Sequence, residues 1–508
     1  MTLHLHAGTH PDRPAVVDAE TGAWLTYAQV DDAARQLSAY LASKGLSEGD
    51  SLAVVMDNDL HYLEVVWAGL RSGLRVTPVN SHLRAEEAAY IIQDCAAKAV
   101  IASARVANLP GVRALLDAQT TCLVVGGDVA GYLPYEAEVA NIAPAAVVGS
   151  LGDLMLYSSG TTGKPKGVRR PPSGLRADEA PLLTMLYRLF GFSESTVYLS
   201  AGPLYHAAPI GALIGTSAIG GTTVLMRRFD PTDALQWLAK YKITHSQWVP
   251  TMFVRMLKLP ASIRDGLDLS SHRFAVHAGA PCPVHVKHEM MEWWGPILHE
   301  YYGGSEGNGF TYIGPDEWLA HPGSVGKPLV GSVHITDEDG NELAPGTVGS
   351  VFFSGGGTFE YHGDEAKTAK AHNHRGWSTL GDIGYVDEDG YLYLTDRAAF
   401  TIIRGGVNVY PQEAEDVLVQ HAAVADCAVL GVPDDDLGER VVAVVELVSG
   451  VEGSAPLAEE LITHCTTRLS KFKCPEAVYF VSELPRMPSG KLAKHALKDL
   501  VAATSGGE

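Results

Sequence analysis

The chain is poor in cysteine and short of positive charge. Its six cysteines, Cys95, Cys122, Cys282, Cys427, Cys465 and Cys474, are scattered over 508 residues, with no CxxC pair and no His/Cys cluster at metal-ligand spacing. That pattern excludes a disulfide framework and a zinc-ribbon site, and it fits free thiols in a reducing compartment. Lys and Arg number 38 against 59 Asp and Glu, a net charge of −21. Most of such a surface repels a phosphate polymer, so general nucleic-acid binding is excluded, whereas a nucleotide needs only a local nest of donors. The opening Met1-Thr2-Leu3-His4-Leu5-His6 lacks the basic-then-apolar pattern of a signal peptide, and a cytoplasmic protein is expected. No internal repeat or low-complexity tract stands out. One stretch, Leu204 to Met226, has no Asp, Glu, Lys or Arg and is long enough to span a bilayer. It contains Pro209, Gly211, Gly215, Gly220, Gly221 and His206, and it reads as a buried helix and strand rather than a membrane span.

What is present is the material of a large soluble protein. Hydrophobic residues make up 46% of the chain, and the length allows several domains. Helical spacing over 28–44, 61–71 and 85–97 alternates with β-rich runs at 51–56, 76–79 and 99–102, the signature of βα units and largely parallel sheets. The same texture resumes from Thr196 to about Ala280, with a strand at 221–226 and a helix at 231–241. From Gly323 to Asp396 short β-rich runs broken by Gly and Asp turns, such as 349–353 and 389–394, predict a β-structured subdomain. Beyond Arg397 comes a separate α+β pattern, with helices at 411–419 and 456–469 and strands at 425–430, 441–448 and 477–480. The fold expected is α/β: an N-terminal domain over 1–396, a C-terminal domain over 397–508 and a boundary at 397–400. Thr504 to Glu508 reads as disordered.

The most informative stretch is Tyr157-Ser158-Ser159-Gly160-Thr161-Thr162-Gly163-Lys164-Pro165-Lys166-Gly167-Val168, which follows the apolar Leu154-Met155-Leu156. A strand running into a loop of glycines, hydroxyls and lysines suits close approach of backbone N–H groups to phosphate oxygens. It is not the usual P-loop, because Ser158 stands where the first Gly belongs and Pro165 where the metal-binding hydroxyl belongs. Further along, Tyr302-Gly303-Gly304-Ser305-Glu306-Gly307 offers an aromatic plate, a hydroxyl and a carboxylate suited to a purine, a phosphate and Mg²⁺. Gly381-Asp382 and Asp396-Arg397 bracket a β-rich segment, and an acidic residue facing ribose hydroxyls is a recurrent nucleotide solution. Pro488-Ser489-Gly490-Lys491-Leu492 sets a lysine at a glycine turn; taken alone it is a solvated loop lysine.

In this order and at these separations the motifs resemble the adenylate-forming superfamily of acyl-CoA synthetases, adenylation domains and beetle luciferases, over nearly the whole chain from Pro11 to Lys491. The resemblance implies that Ser158, Ser159, Gly160, Thr161, Thr162, Gly163 and Lys166 wrap the β,γ-phosphates of ATP. It implies that Gly279-Ala280-Pro281 and Tyr302 hold adenine, Ser305 meets the α-phosphate, Glu306 binds Mg²⁺, and Asp382 with Arg397 binds ribose. The resemblance likewise implies that Lys491 reaches the carboxylate and the bridging oxygen. Pro203-Leu204-Tyr205-His206 resembles the family's substrate-side motif, which implies that His206 sits between the acid pocket and the thiol channel. By the same resemblance Gly405 and Gly406 are expected to line the path of coenzyme A, and Leu437 and Phe472 to cover its adenine; a core Phe is the competing reading of Phe472. At the hinge, relatives carry Asp or Lys where this chain reads Arg397-Ala398-Ala399-Phe400, so domain rotation is implied by the family and not by these residues.

The leading reading is an AMP-forming acid–CoA ligase using ATP, Mg²⁺ and coenzyme A. A second is a stand-alone adenylation enzyme loading an aryl or amino acid onto a carrier protein. The run Tyr205-His206-Ala207-Ala208-Pro209-Ile210 has no acidic residue to pair with an α-ammonium, which disfavours an amino acid. A third, a silent nucleotide-binding scaffold, sits poorly with Glu306, Asp382, Arg397 and Lys491 together. The candidate acid pocket, His206, Ala207, Gly211, Trp248, Val249, His277, Gly303, Gly304, Asn308 and Phe310, is mostly apolar. It favours a medium-to-long, ring-bearing or aryl acid, although Gly303 and Gly304 equally serve the backbone. A homodimer is the family-level expectation.

Overall fold

The computed structural model describes residues 2–158, 165–397, 400–404, 407–434, 437–486 and 492–505. They form two compact units, one of Met1–Gly279, His288–Gly307 and Gly357–Thr368, the other of Ala280–Lys287, Asn308–Gly356 and Ala369–Glu508.

The first unit is built on two mainly parallel sheets. One runs Leu133–Pro134, Thr121–Val125, Ala97–Ser103, Ser51–Val55, Arg75–Pro78, Asp153–Leu154, all neighbours parallel. Its central strand Ser51–Val55 is buried at every position, as a continuous apolar run covered on both faces must be. In the other sheet the order is Leu298–Tyr302, Phe274–His277, His245–Trp248, Val197–Ser200, Thr222–Leu225, Pro14–Asp18, Trp24–Thr26, with only the last pair antiparallel. Helices fill the space between. Tyr27–Ser43 starts at a reciprocal capping box of Thr26 and Gln29. Tyr62–Arg71 approaches its following strand so closely that a Cβ at Gly69 would lie 2.4 Å from Val76 Cγ2.

The uncharged stretch from Leu204 forms the helix Ala207–Ile219 and the strand Thr222–Leu225. The helix is buried from Ile210 to Ile219, and Trp67 Nε1 donates to Ser217 Oγ at 2.9 Å. It ends at Gly220 with φ of 98°, where an added Cβ would meet the His6 ring at 2.6 Å. Among the described residues no helix is long and apolar enough to cross a membrane.

The second unit carries an antiparallel sheet of Ser332–Thr336, Gly349–Ser354, Asp382–Val386 and Leu392–Arg397, and a hairpin of Phe310–Ile313 with Lys327–Val330. Its other sheet runs Val407–Val409, Ile402–Arg404, Gly438–Leu447, Val424–Asp434, with Ala477–Val481 parallel to Gly438–Leu447. The chain end departs from expectation: the helix Lys494–Ser505 includes Thr504 and Ser505. Its buried Leu497 and Val501 pack with Leu430, Val442 and Leu484, so the apolar face outweighs the polar terminal residues.

Candidate functional site

The phosphate-loop stretch is a β-hairpin. Leu156–Ser158 pairs antiparallel with Lys166–Arg169, and Ser158 stands opposite Lys166 at the base of the connecting loop. Ser159, Gly160, Thr161, Thr162 and Gly163 lie outside the described residues. Gly167 is required by space, since its Cβ would fall 2.4 Å from Met155 Cε and 3.1 Å from the Tyr157 ring. Tyr157 Oη donates to Asp94 at 2.6 Å and Tyr90 Oη donates to Pro165 O at 3.4 Å, tethering both arms.

A third strand, Glu360–Tyr361, extends this ladder, with Val168 opposite Tyr361. Tyr361 Oη donates to Glu306 Oε1 at 2.9 Å. Lys166 Nζ pairs with Asp364 Oδ2 at 3.5 Å, and Asp364 caps the next turn by accepting from Lys367 N at 2.9 Å. The Lys367 ammonium lies 3.8 Å from the centroid of the Tyr361 ring. Burial lowers its pKa, opposed by the Glu306 and Asp364 carboxylates. One short sheet therefore gathers the loop base, a buried carboxylate and two lysines. Tyr302 ends its strand, and Ser305 and Glu306 occupy a turn in which Gly307 N donates to Gly304 O at 3.1 Å. Gly279 takes a φ of 88° just past the strand Phe274–His277.

In the second unit Asp382 and Arg397 are direct partners across the Asp382–Val386 and Leu392–Arg397 strands. Asp382 is 6% exposed. The two come from positions 15 residues apart in sequence because a tight hairpin folds one strand onto the other.

On the acid side, His206 caps the helix Ala207–Ile219, its ring 4.5 Å from that of Tyr205. The loop before it is clamped by Asn58, which accepts from Leu204 N at 2.9 Å and donates to Gly202 O at 3.0 Å and Met226 O at 2.7 Å. The sheet separates the candidate pocket residues. Register places Ser200 beside Gln247 and Trp248 beside His277. Gln247 and Tyr301 face the side covered by the Ala207–Ile219 helix; Trp248 and His277 face the other side. There Trp248 lies 5.7 Å from Trp294 and His277 5.5 Å from Phe253, and Trp248 Nε1 donates to Ser246 Oγ at 2.6 Å. Trp248 and His277 thus join an aromatic layer and not the helix carrying Ala207 and Gly211. Val249 caps the helix Pro250–Leu257 at the strand end. In the second unit, Asn308 is buried and donates to Ser378 Oγ at 3.1 Å, and Phe310 opens a strand. Gly303 is exposed and Gly304 half-buried.

Phe472 is 41% exposed on a short turn whose carbonyl accepts from Arg404 Nη1 at 2.9 Å. Leu437 N donates to Asp434 Oδ1 at 2.9 Å. Lys491, Gly405, Gly406 and the hinge residues Ala398 and Ala399 lie outside the described residues.

Comparison with known proteins decides the family. The description "AMP-binding enzyme" matches residues 3–361, and "AMP-binding enzyme C-terminal domain" matches residues 413–491. The chain belongs to the AMP-binding enzymes. It is 31% identical to the 2-succinylbenzoate–CoA ligase of Geobacillus kaustophilus, over 97% of this chain and 96% of that protein. It is 29% identical to the long-chain-fatty-acid–CoA ligase FadD13 of Mycobacterium tuberculosis, over 99% of this chain and 98% of that protein. A crystal structure of the anthranilate CoA ligase AuaEII in complex with anthranoyl-AMP aligns at a TM-score of 0.86 and 25% identity, over 99% of this chain and 97% of that one.

This AMP-binding enzyme is an AMP-forming acid–thiol ligase, whose reagents are ATP, Mg²⁺ and coenzyme A. Glu306 fits the metal. Among the described residues no group of three or more His, Cys, Asp or Glu forms an all-protein metal cage. A single buried carboxylate with one oxygen held by Tyr361 suits an ion that keeps waters and phosphate oxygens as its remaining ligands. Tyr361, Lys367 and Asn58 are additions to the sequence-derived set. The Asp364-x-x-Lys367-Thr368 turn was a local signal for Lys367, but the proximity of Tyr361 and Lys367 to Glu306 depends on the ladder.

Proposed function

We propose that this AMP-binding enzyme is an ATP-dependent acid–CoA ligase. It converts a medium-to-long, ring-bearing or aryl carboxylic acid to an acyl-adenylate and then to an acyl-CoA thioester. The observation that carries this reading is the small ladder that closes the Gly/Ser/Thr loop at Ser158 and Lys166 while its third strand delivers Tyr361 to buried Glu306.

In the first half-reaction a carboxylate oxygen attacks the α-phosphorus of ATP and pyrophosphate departs. Two anions must meet, so donors fixed in advance lower the barrier. The 158–166 loop with Lys166 holds the β,γ-phosphates, Ser305 meets the α-phosphate, and Lys491 holds the attacking carboxylate and the bridging oxygen. Mg²⁺, when bound at Glu306, offsets charge on the phosphoryl oxygens. Gly279-Ala280-Pro281 and Tyr302 hold adenine, and Asp382 with Arg397 holds ribose. In the second half-reaction the thiol of coenzyme A attacks the acyl carbon and AMP leaves. Gly405 and Gly406 line its approach, and Leu437 and the exposed Phe472 cover its adenine. Residues 397–508 move about 397–400 between the two steps. The names of the relatives, ligases of 2-succinylbenzoate, long-chain fatty acids and anthranilate, support a hydrophobic or aryl acid with coenzyme A as acceptor over carrier-protein loading. The compartment is the cytoplasm, the substrates are small molecules and not nucleic acid, and the assembly is a homodimer, which light scattering checks against the 54.1 kDa chain.

Pyrophosphate release from ATP, Mg²⁺ and an acid panel, followed with and without coenzyme A, tests the reading; no release with any acid rejects it. Lys491→Ala is expected to slow adenylate formation by roughly 10²–10³-fold while sparing thioester formation from supplied acyl-adenylate. Equal loss in both half-reactions rejects the role of Lys491.

A further inference from the structure

The helix Ala207–Ile219 carries Gly211, a candidate pocket residue, and Gly215 one turn further on, two positions without side chains. The space is filled. A Cβ at Gly215 would lie 2.3 Å from Tyr187 Cδ2, and one at Gly211 would lie 3.2 Å from Tyr187 Oη. The Tyr187 ring therefore lies along the helix surface, with its hydroxyl toward the helix N-terminus. There it donates to Ala208 O at 3.5 Å, two residues from His206. Tyr187 belongs to the short helix Leu183–Leu189 and is 8% exposed. Behind it stand Phe192, edge-on at 5.1 Å, and Phe190 at 6.1 Å. These in turn rest on Phe274 and Tyr198 of the sheet.

A polar floor adjoins the ring. Tyr198 Oη donates to Gln247 Oε1 at 3.3 Å, and Gln247 Nε2 donates to Tyr301 Oη at 2.9 Å. Burial raises the pKa of Tyr187 well above that of an ordinary phenol, with Tyr301 and Tyr198 adding to it, so the three phenols are neighbours. Tyr301 is only half-buried by surface, yet desolvation pushes its phenol up to about 12.

We infer that Tyr187 closes the far end of the acid pocket and sets the longest acid the enzyme accepts. The inference rests on the ligase reading and narrows it. The small residues of the helix give room that an aromatic plug takes back, so the preferred acid is compact, ring-bearing or aryl, and meets phenol and amide groups at its far end. A long straight chain has no path while the ring is seated, because its backing of Phe190 and Phe192 leaves it nowhere to retreat.

The test uses the full-length enzyme and a length series of straight-chain acids beside ring-bearing and aryl acids, read as kcat/KM for pyrophosphate release. The wild type is expected to lose activity sharply beyond a short limit. Tyr187→Ala should extend that limit by several carbons and raise kcat/KM for the longer acids by roughly 10-fold or more. Tyr187→Leu should fall between, and Tyr187→Phe should keep the wild-type limit. Calorimetric binding of non-hydrolysable acyl-adenylate analogues of graded length gives a second readout free of turnover. If Tyr187→Ala does not fold, the Leu variant decides. A folded variant with an unchanged length limit in both measurements overturns the role of Tyr187 and leaves the ligase reading intact. Absence of pyrophosphate release by wild type with every acid overturns the ligase reading itself.

Discussion

At the scale of single residues, the site depends on groups that hold other groups. Tyr361 touches Glu306 through one hydrogen bond, and its value lies in fixing the direction of a buried carboxylate. Tyr361→Phe is expected to weaken apparent Mg²⁺ affinity by roughly 10-fold, whereas Glu306→Gln removes the ligand and should cost roughly 10²-fold or more in pyrophosphate release. A Mg²⁺ titration at saturating ATP distinguishes them, because only the Tyr variant is rescued by added metal. Asn58 acts similarly on the loop that precedes His206. Its amide satisfies three backbone groups of the loop and strand around His206. Asn58→Ala strands them in the interior, and a loss of about 2–4 kcal/mol in denaturant unfolding is expected. None of this was legible in sequence: Tyr361 and Glu306 are 55 residues apart, Asn58 and Leu204 are 146 apart, and neither Tyr361 nor Asn58 carries a local pattern that names its partner.

At the scale of elements, legibility followed local chemistry. The helix Pro231–Lys240 was readable because Pro231 suits the first turn and Asp230 caps it, accepting from Thr232 N and Asp233 N. The alternation of helices and buried strands from Tyr27 to Ser103 was readable from its periodicity, with ends displaced by at most three residues, whereas the helix Leu3–Thr9 and the strands Pro14–Asp18 and Trp24–Thr26 were not read. The strand Lys166–Arg169 was not, because its residues read as the tail of a loop and only the pairing partner Leu156–Ser158 makes them extended. Nor was the burial of Trp248 and His277 on the far face, since strand periodicity gives two faces without saying which one meets a substrate. The terminal helix Lys494–Ser505 is anchored by Lys494, whose Nζ donates to Glu415 Oε1 at 2.7 Å and Val429 O at 3.2 Å. Both partners of the ion pair are close to 90% buried. Lys494→Met leaves Glu415 without its counter-charge, and a loss of about 3 kcal/mol in unfolding is expected. The double variant with Glu415→Gln should recover part of it.

At the scale of the whole molecule, two groups in different units each make stability fall as pH rises, in different windows. Burial opposes the His61 cation, but its hydrogen bond to Glu64 wins and the pKa rises to about 8 from 6.5. That contribution is complete below pH 6.5 and lost as pH climbs through about 8. Desolvation raises Asp416 to about 7 from 3.8, with Glu415 and Glu413 adding to it against a hydrogen bond from Gln412. Its protonated form is favoured by folding, so its contribution is complete below pH 3.8 and lost as pH rises through about 7. Each proton released on unfolding tilts stability by at most about 1.4 kcal/mol per pH unit. Chemical denaturation between pH 6.5 and 8.5 should show a decline, above the range in which the buried His245 and His272, held low by desolvation, add stability as pH rises, and Asp416→Asn should flatten the portion up to pH 7.

The strand Lys166–Arg169 pairs on one edge with Leu156–Ser158, which leads into the proposed phosphate loop, and on the other with Glu360–Tyr361, whose Tyr361 holds Glu306, the proposed metal ligand. With those proposed roles, filling either place would order the strand shared by both. Nucleotide and divalent ion are then thermodynamically linked, each strengthening the hold on its companion by an identical factor whichever arrives first.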